Sequence, residues 1–266
     1  MGAVRLVDLD LLGVFLCSTH LPSVYWTVHF CTAIHRTNCI GKLILWSRYY
    51  LLMESATPVL VLNGDLRWTE GLARYALEAP LVLAADGGAN ALARLGLRPD
   101  AVIGDLDSID PETRAWIGEG NIIHRPDQDR TDFEKALDLA FDRPDVDRLI
   151  VLGALGGRVD HTIGNLGVLA REARGTRLKL ISETETVLAT DSALDLEAQP
   201  GETWSFWTFD PGARVTLEGV RWPVENTPLT VGDRPSISNE ATGARVSVIP
   251  KGGSVIVFRE LIADSS

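Results

Sequence analysis

The chain of 266 residues carries 36 Asp and Glu against 25 Lys and Arg, a formal net charge of −11. Its length buries a sizeable core in one large or two modest domains, while its charge excludes a general duplex-DNA binder, which needs clustered cations to neutralise phosphates. No apolar stretch reaches the roughly 20 residues of a membrane span, so a soluble protein is expected.

Residues 1–52 hold all three cysteines (Cys17, Cys31 and Cys39), Trp26 and Trp46, yet show no sustained hydrophobic period. The irregular cysteine spacing, without a CxxC pair, offers neither a disulfide framework nor a zinc site and fits a reducing compartment, read here as cytoplasm. Asp8 and Asp10 precede the apolar run 11–17, where a signal peptide carries positive charge. Residues 1–52 are therefore expected to be an extension dispensable for activity, with Met53 resembling an ordinary protein beginning.

From residue 53 to about 182, short apolar runs alternate with helical patterns, the signature of a mostly parallel, open Rossmann-like sheet with crossover helices. The predicted strands are residues 59–62, 81–85, 101–103, 121–124, 149–152 and 178–181. Leu72, Tyr75, Ala76 and Ala79 recur at helical spacing, as do Phe133, Ala136, Leu137, Ala140 and Phe141. A third helix is predicted over residues 160–174, burying Ile163, Leu166, Leu169 and Ala173. After residue 183 the period falls to two, in Trp204 and Phe206, Val215 and Leu217, Val246 and Val248, Val255 and Val257. That pattern, punctuated by Pro-Gly and Gly-Gly turns, predicts a small antiparallel β-sandwich over residues 183–266.

Ligands of an open α/β sheet collect at the C-terminal ends of its strands. Four acidic or glycine-rich loops are predicted there: NGD at residues 63–65, DGGAN at 86–90, GDLDS at 104–108 and GALGGRVD at 153–160. In an extended segment Asp105 and Asp107 project to one side, a spacing that suits one hard cation such as magnesium, although a solvated turn has the same pattern. Thr131 and Glu134 stand at capping-box spacing and start a helix at Asp132, whose carboxylate either opposes the helix dipole or completes a metal site. Lys135 meets phosphate or pairs with an acid. The glycines 153, 156 and 157 allow backbone N–H groups to approach an anion, with Arg158 suited to bidentate phosphate contact and Asp160 to capping or metal. Neither GxGxxG nor a Walker lysine motif occurs. The residues alone indicate a metal-dependent enzyme acting on phosphorylated ligands.

The ordered set DGGAN, GDLDS, QDRTDFEKAL at 128–137 and GALGGRVDHTIGN at 153–165 resembles the catalytic domain of the thiamine pyrophosphokinase family. GVRWPV at 219–224 and SISNE at 236–240 resemble its thiamine-binding region. The resemblance implies an α/β domain followed by a β-sandwich, a homodimer with active sites where two subunits meet, and transfer of pyrophosphate from ATP to the hydroxyl of thiamine. It implies magnesium on Asp105, Asp107 and Asp132, with Asp86 and Asp160 nearby and one of these aspartates as base. ATP or phosphate contacts are expected from Gly87, Asn90, Gln128, Thr131, Lys135, Gly156, Gly157 and Arg158, and thiamine contacts from Ser238, Asn239 and Trp222. The alternatives are a pyrophosphokinase of another hydroxymethyl heterocycle such as a pterin, and a non-catalytic sensor of thiamine pyrophosphate.

Overall fold

The computed structural model describes residues 57–261 and the antiparallel pair β1 (Leu6–Val7) and β2 (Leu16–Cys17). The expectation that residues 1–52 form a dispensable extension falls almost wholly outside the described residues. The chain divides into two compact units, Met1–Tyr49 and Tyr50–Ser266.

In the second unit, β3 (Val59–Val61), β4 (Val82–Ala85), β5 (Ala101–Gly104), β7 (Leu149–Leu152) and β8 (Leu178–Ile181) are short apolar runs almost entirely buried. Burial on both faces is what a parallel sheet covered by helices requires. With β6 (Ile122–His124) they lie in the order β8-β7-β3-β4-β5-β6. The chain enters at β3, walks outward to β6 and crosses back to β7, so the order reverses between β3 and β7, where such sheets open a crevice.

The helices cover both faces. α1 (Glu70–Glu78), α2 (Gly88–Leu95) and α3 (Pro111–Ile117) place Leu72, Ala76, Leu92 and Ile117 on one face. α4 (Asp132–Phe141) and α5 (Val159–Arg171) place Phe133, Leu137, Leu166 and Leu169 on the other. The start of α4 follows from the complete capping box of Thr131 and Glu134. α5 ends at Arg171 rather than 174, where the chain enters a tight turn with Gly175 at φ 68°. Ile163, expected in the core, is 55% exposed, because with Gly167 and Ala170 it lines an open groove on the helix side facing Phe209, while Leu166 and Leu169 lie in the core.

Beyond β8 the chain turns back antiparallel into β9 (Glu185–Thr190). It continues through β10 (Leu194–Glu197), β11 (Thr203–Trp207), β12 (Arg214–Glu218), β13 (Val224–Thr227), β14 (Ser236–Glu240), β15 (Arg245–Lys251) and β16 (Val255–Glu260). Strands β14-β11-β16-β9 extend the parallel sheet to ten strands, and β10-β15-β12-β13 form a second layer. Alternating residues of both layers, among them Trp204, Phe206, Leu217, Val246 and Val257, meet in one core. The sandwich therefore shares one layer with the α/β half.

Candidate active site

Asp86 leaves the end of β4 at φ 43°, a left-handed conformation unusual for a side chain other than glycine, and is only 4% exposed. The Ser108 backbone N–H donates to both its oxygens, at 3.4 and 3.2 Å. Behind it the Asn63 amide sits against Gly87, where a Cβ would stand 2.5 Å away, and the backbone of Gly88 lies too close to β3 for a side chain, since its Cβ would stand 2.1 Å from Val61 O. The next loop is folded on itself: the Asp107 N–H donates to Asp105 Oδ1 at 3.4 Å and Ser108 Oγ donates to Asp107 Oδ1 at 2.8 Å. Asn90 fastens this loop, donating to Ser108 O at 2.9 Å and accepting from Asp110 N at 3.0 Å. Gln128 reaches in from the β6 side to donate to Asp105 Oδ2 at 3.0 Å.

One carboxylate oxygen from each of Asp86, Asp105 and Asp107 lies within 4.8 Å of the others. Burial pushes the Asp86 carboxyl above its ordinary value, helped by the charges of Asp132 and Asp107 and opposed by the Ser108 hydrogen bonds. The Gln128 amide, aided by the Lys135 ammonium, holds Asp105 below its ordinary value. Packing anions this closely is costly unless a cation joins them, and an all-oxygen set of this size suits a small hard divalent ion.

Asp132, the third metal ligand expected from the resemblance, lies beside this group. A Cβ on Gly104 would meet Asp86 Cβ at 2.9 Å and Asp132 Oδ1 at 3.2 Å. That same Oδ1 accepts from Lys135 Nζ at 3.0 Å, and the Lys135 side chain is only 7% exposed. Lys135 thus neutralises part of the acidic cluster from within. Thr131 is occupied in the capping box, its hydroxyl accepting from Glu134 N at 3.3 Å.

A raised carboxyl pKa means that ionising Asp86 costs folding free energy above the ordinary value of 3.8 and nothing below it. Asp86→Asn is therefore expected to raise the cation-free melting temperature at neutral pH by on the order of 3 °C. The gain should shrink towards zero as pH falls to 3.8. Calorimetry of the two proteins across this range checks it, and a variant melting lower at neutral pH contradicts it.

The loop after β7 lies at the strand-order reversal. Gly153, Gly156 and Gly157 all have positive φ, and Gly64 N donates to Gly153 O at 2.9 Å, joining the β3 and β7 loops. Arg158 is exposed and engages Asp160 through two nitrogens, at 3.2 and 2.6 Å, holding the Asp160 carboxyl down to about 2. An anion reaching Arg158 has to share it with Asp160.

In the sandwich, Trp222 is 53% exposed and the Arg221 guanidinium stands 4.9 Å from its ring centroid. Ser238 is exposed at φ 54°, its N–H donating to Ser205 Oγ at 3.0 Å, whereas Asn239 is 1% exposed.

Residues 72–181 match the family model "Thiamin pyrophosphokinase, catalytic domain", and residues 192–253 match "Thiamin pyrophosphokinase, vitamin B1 binding domain". Thiamine pyrophosphokinase 1 of Arabidopsis thaliana is 31% identical over 221 residues, 71% of this chain and 81% of that protein. The chain belongs to the thiamine pyrophosphokinase family. The Bacillus subtilis thiamine pyrophosphokinase is 28% identical over 208 residues, 75% of this chain and 96% of that one. A solved thiamine pyrophosphokinase structure from that organism superposes with a TM-score of 0.65 at 27% identity, covering 78% of this chain and all of that one.

Within this thiamine pyrophosphokinase family member, the catalytic-domain match spans Asp86, Asp105, Asp107, Asp132 and Asp160, and the vitamin B1 match spans Trp222, Ser238 and Asn239. Sequence reasoning missed Ser108, whose N–H supports Asp86 and whose hydroxyl supports Asp107. Its signal was its place at the end of GDLDS, directly after Asp107; its bond to Asp86, 22 residues upstream, depends on the strand order. Arg221 and Glu240, paired at 3.0 Å beside Trp222, were likewise not singled out.

Proposed function

We propose that the chain transfers pyrophosphate from ATP to thiamine, with magnesium held by Asp86, Asp105 and Asp107 and with Asp132 alongside. The observation that carries this reading is the convergence of those carboxylates at the C-terminal rim of the sheet in a member of this family. Bound magnesium would neutralise phosphate charge, the dominant need in phosphoryl chemistry. The thiamine hydroxyl oxygen attacks the β-phosphorus, the bond from that phosphorus to the oxygen bridging it to the α-phosphorus breaks, and AMP departs. One of the clustered aspartates takes the hydroxyl proton. Gln128 and Asn90 hold the acidic loop in shape, and the glycine loop with Arg158 binds phosphate. The confinement of cysteine to residues 17–39 supports a reducing, cytoplasmic setting; no described helix is long and apolar enough to cross a membrane.

Topology supports a homodimer with shared sites. Asn239, against the Trp222 main chain, lies on β14 at one end of the ten-stranded sheet, and the acids follow β4 and β5 near the other. Seven strand spacings to β4 and eight to β5, of about 4.8 Å each, set them on the order of 35 Å apart along the sheet. Thiamine is far shorter than that. A ring on Trp222 therefore reaches phosphates held by the acids of a second copy, an arrangement that two-fold symmetry supplies twice.

Incubation with ATP, magnesium and either thiamine or a hydroxymethyl pterin tests the reaction. AMP and thiamine pyrophosphate are expected with thiamine alone; turnover of only the pterin, or of neither, overturns it. Shared sites are tested by mixing Asp105→Asn with Trp222→Ala subunits. Hybrid dimers then hold one intact site, and recovery of about a quarter of wild-type activity is expected from random pairing. No recovery despite proven subunit exchange contradicts shared sites.

A further inference from the structure

The sequence motif marks Asn239 as a ligand contact, yet its carboxamide is fully occupied within the chain. Nδ2 donates to Trp222 O at 2.9 Å and to Ser236 Oγ at 3.2 Å; Oδ1 accepts from Trp222 N at 3.1 Å and Glu240 N at 3.0 Å. Two donors and two acceptor sites are the whole capacity of a side-chain amide. Nothing is left for a ligand.

Those bonds continue a backbone ladder. Thr242 N donates to Gly219 O at 2.9 Å and Arg221 N to Glu240 O at 2.8 Å, pairing the segment before Trp222 with β14. At Trp222 the main chain of β14 no longer serves, and the Asn239 side chain takes both the N–H and the C=O. Pro223 follows and has no N–H to extend the ladder. On one face of the exposed ring lies Arg221, itself held by Glu240 at 3.0 Å.

We propose that Asn239 is a positioning residue that fixes the Trp222 backbone, so that the indole stands as a pre-ordered platform with Arg221 on one face and the other face open to a flat heteroaromatic ring. Pre-ordering removes part of the entropy cost of binding. The proposal rests on the reading of this surface as the thiamine site and deepens it.

Asn239→Asp keeps the size and both acceptor bonds but removes both donors. The thiamine KM is expected to rise roughly tenfold, a loss of the size of one aromatic contact, with kcat and the ATP KM within about twofold. Acrylamide quenching of the Trp222 emission, obtained by difference from Trp222→Phe, is expected to increase. Asn239→Ser, which breaks both Trp222 bonds without introducing charge, serves where the aspartate variant does not fold. A folded variant with a lowered melting temperature but an unchanged thiamine KM overturns the proposal. In a Trp222→Ala background, Asn239→Asp should add nothing to the thiamine KM; an added effect means that Asn239 acts independently of Trp222 and also overturns it. If Trp222→Ala itself leaves the thiamine KM unchanged, the reading of this surface fails; if it raises KM and the Asn239 variants do not, the positioning role alone fails.

Discussion

Asp105→Asn is expected to lower turnover by roughly a thousandfold while leaving the melting temperature within a few degrees of wild type. The residue is half-buried at a loop, and its carboxylate accepts from Gln128 Nε2 and Asp107 N rather than from any strand or helix of the core. Its neutral isostere leaves the sheet and both helical layers untouched. What disappears is one of three anionic donors gathered within 4.8 Å. A hard cation holds a neutral amide far less well than a carboxylate in such a set. Steady-state kinetics at saturating ATP and thiamine, with magnesium varied, check the effect, and excess magnesium should recover part of the loss. Turnover near wild type at ordinary magnesium would contradict the role given to these acids.

Gly88→Ala is expected to destabilise the protein by about 3 kcal/mol, lowering its melting temperature by about 10 °C. The new Cβ would lie 2.1 Å from Val61 O and 2.7 Å from Val61 C, both main-chain atoms of β3 in the middle of the sheet. No side chain can swing aside, so α2 must lift from the sheet. Asn90, on the same first turn, then loosens its hold on Ser108 and Asp110. Activity should fall with stability. Gly71→Ala is the control: the nearest atom to its Cβ is Thr69 Oγ1 at 3.9 Å, and alanine favours helix there. Thermal unfolding of both variants checks the contrast, and equal melting temperatures would refute the close-packing argument.

The parallel strands were legible because burial on both faces leaves continuous apolar runs, such as Leu149–Leu152. The start of α4 was legible because a capping box is written in two residues three apart. α2 and α3 were missed: at eight and seven residues they are too short to establish a period, and DGGAN reads as a loop although Gly88 is already helical. Asp110 followed by Pro111 did carry a start signal for α3. Within the site, the proximity of Asp105 and Asp107 follows from their spacing. The approach of Asp86 depends on β4 and β5 being neighbours, which only the strand order reveals. The Lys135–Asp132 pair is one helical turn apart and follows from spacing, but the burial of Lys135 and the bonding of Asn239 to the Trp222 main chain arise from tertiary packing and leave no local trace.

The uninterrupted run from β8 into β9 governs how the two halves could ever be exchanged. Lys179, Leu180 and Ile181 pair with Leu188, Val187 and Thr186, so a recombination breakpoint near residue 183 strips a complete ladder from each fragment. Both would then display a raw edge of unmatched amides and carbonyls, a template for self-association. The α/β half and the sandwich half are thus joined by a shared seam rather than by a tether.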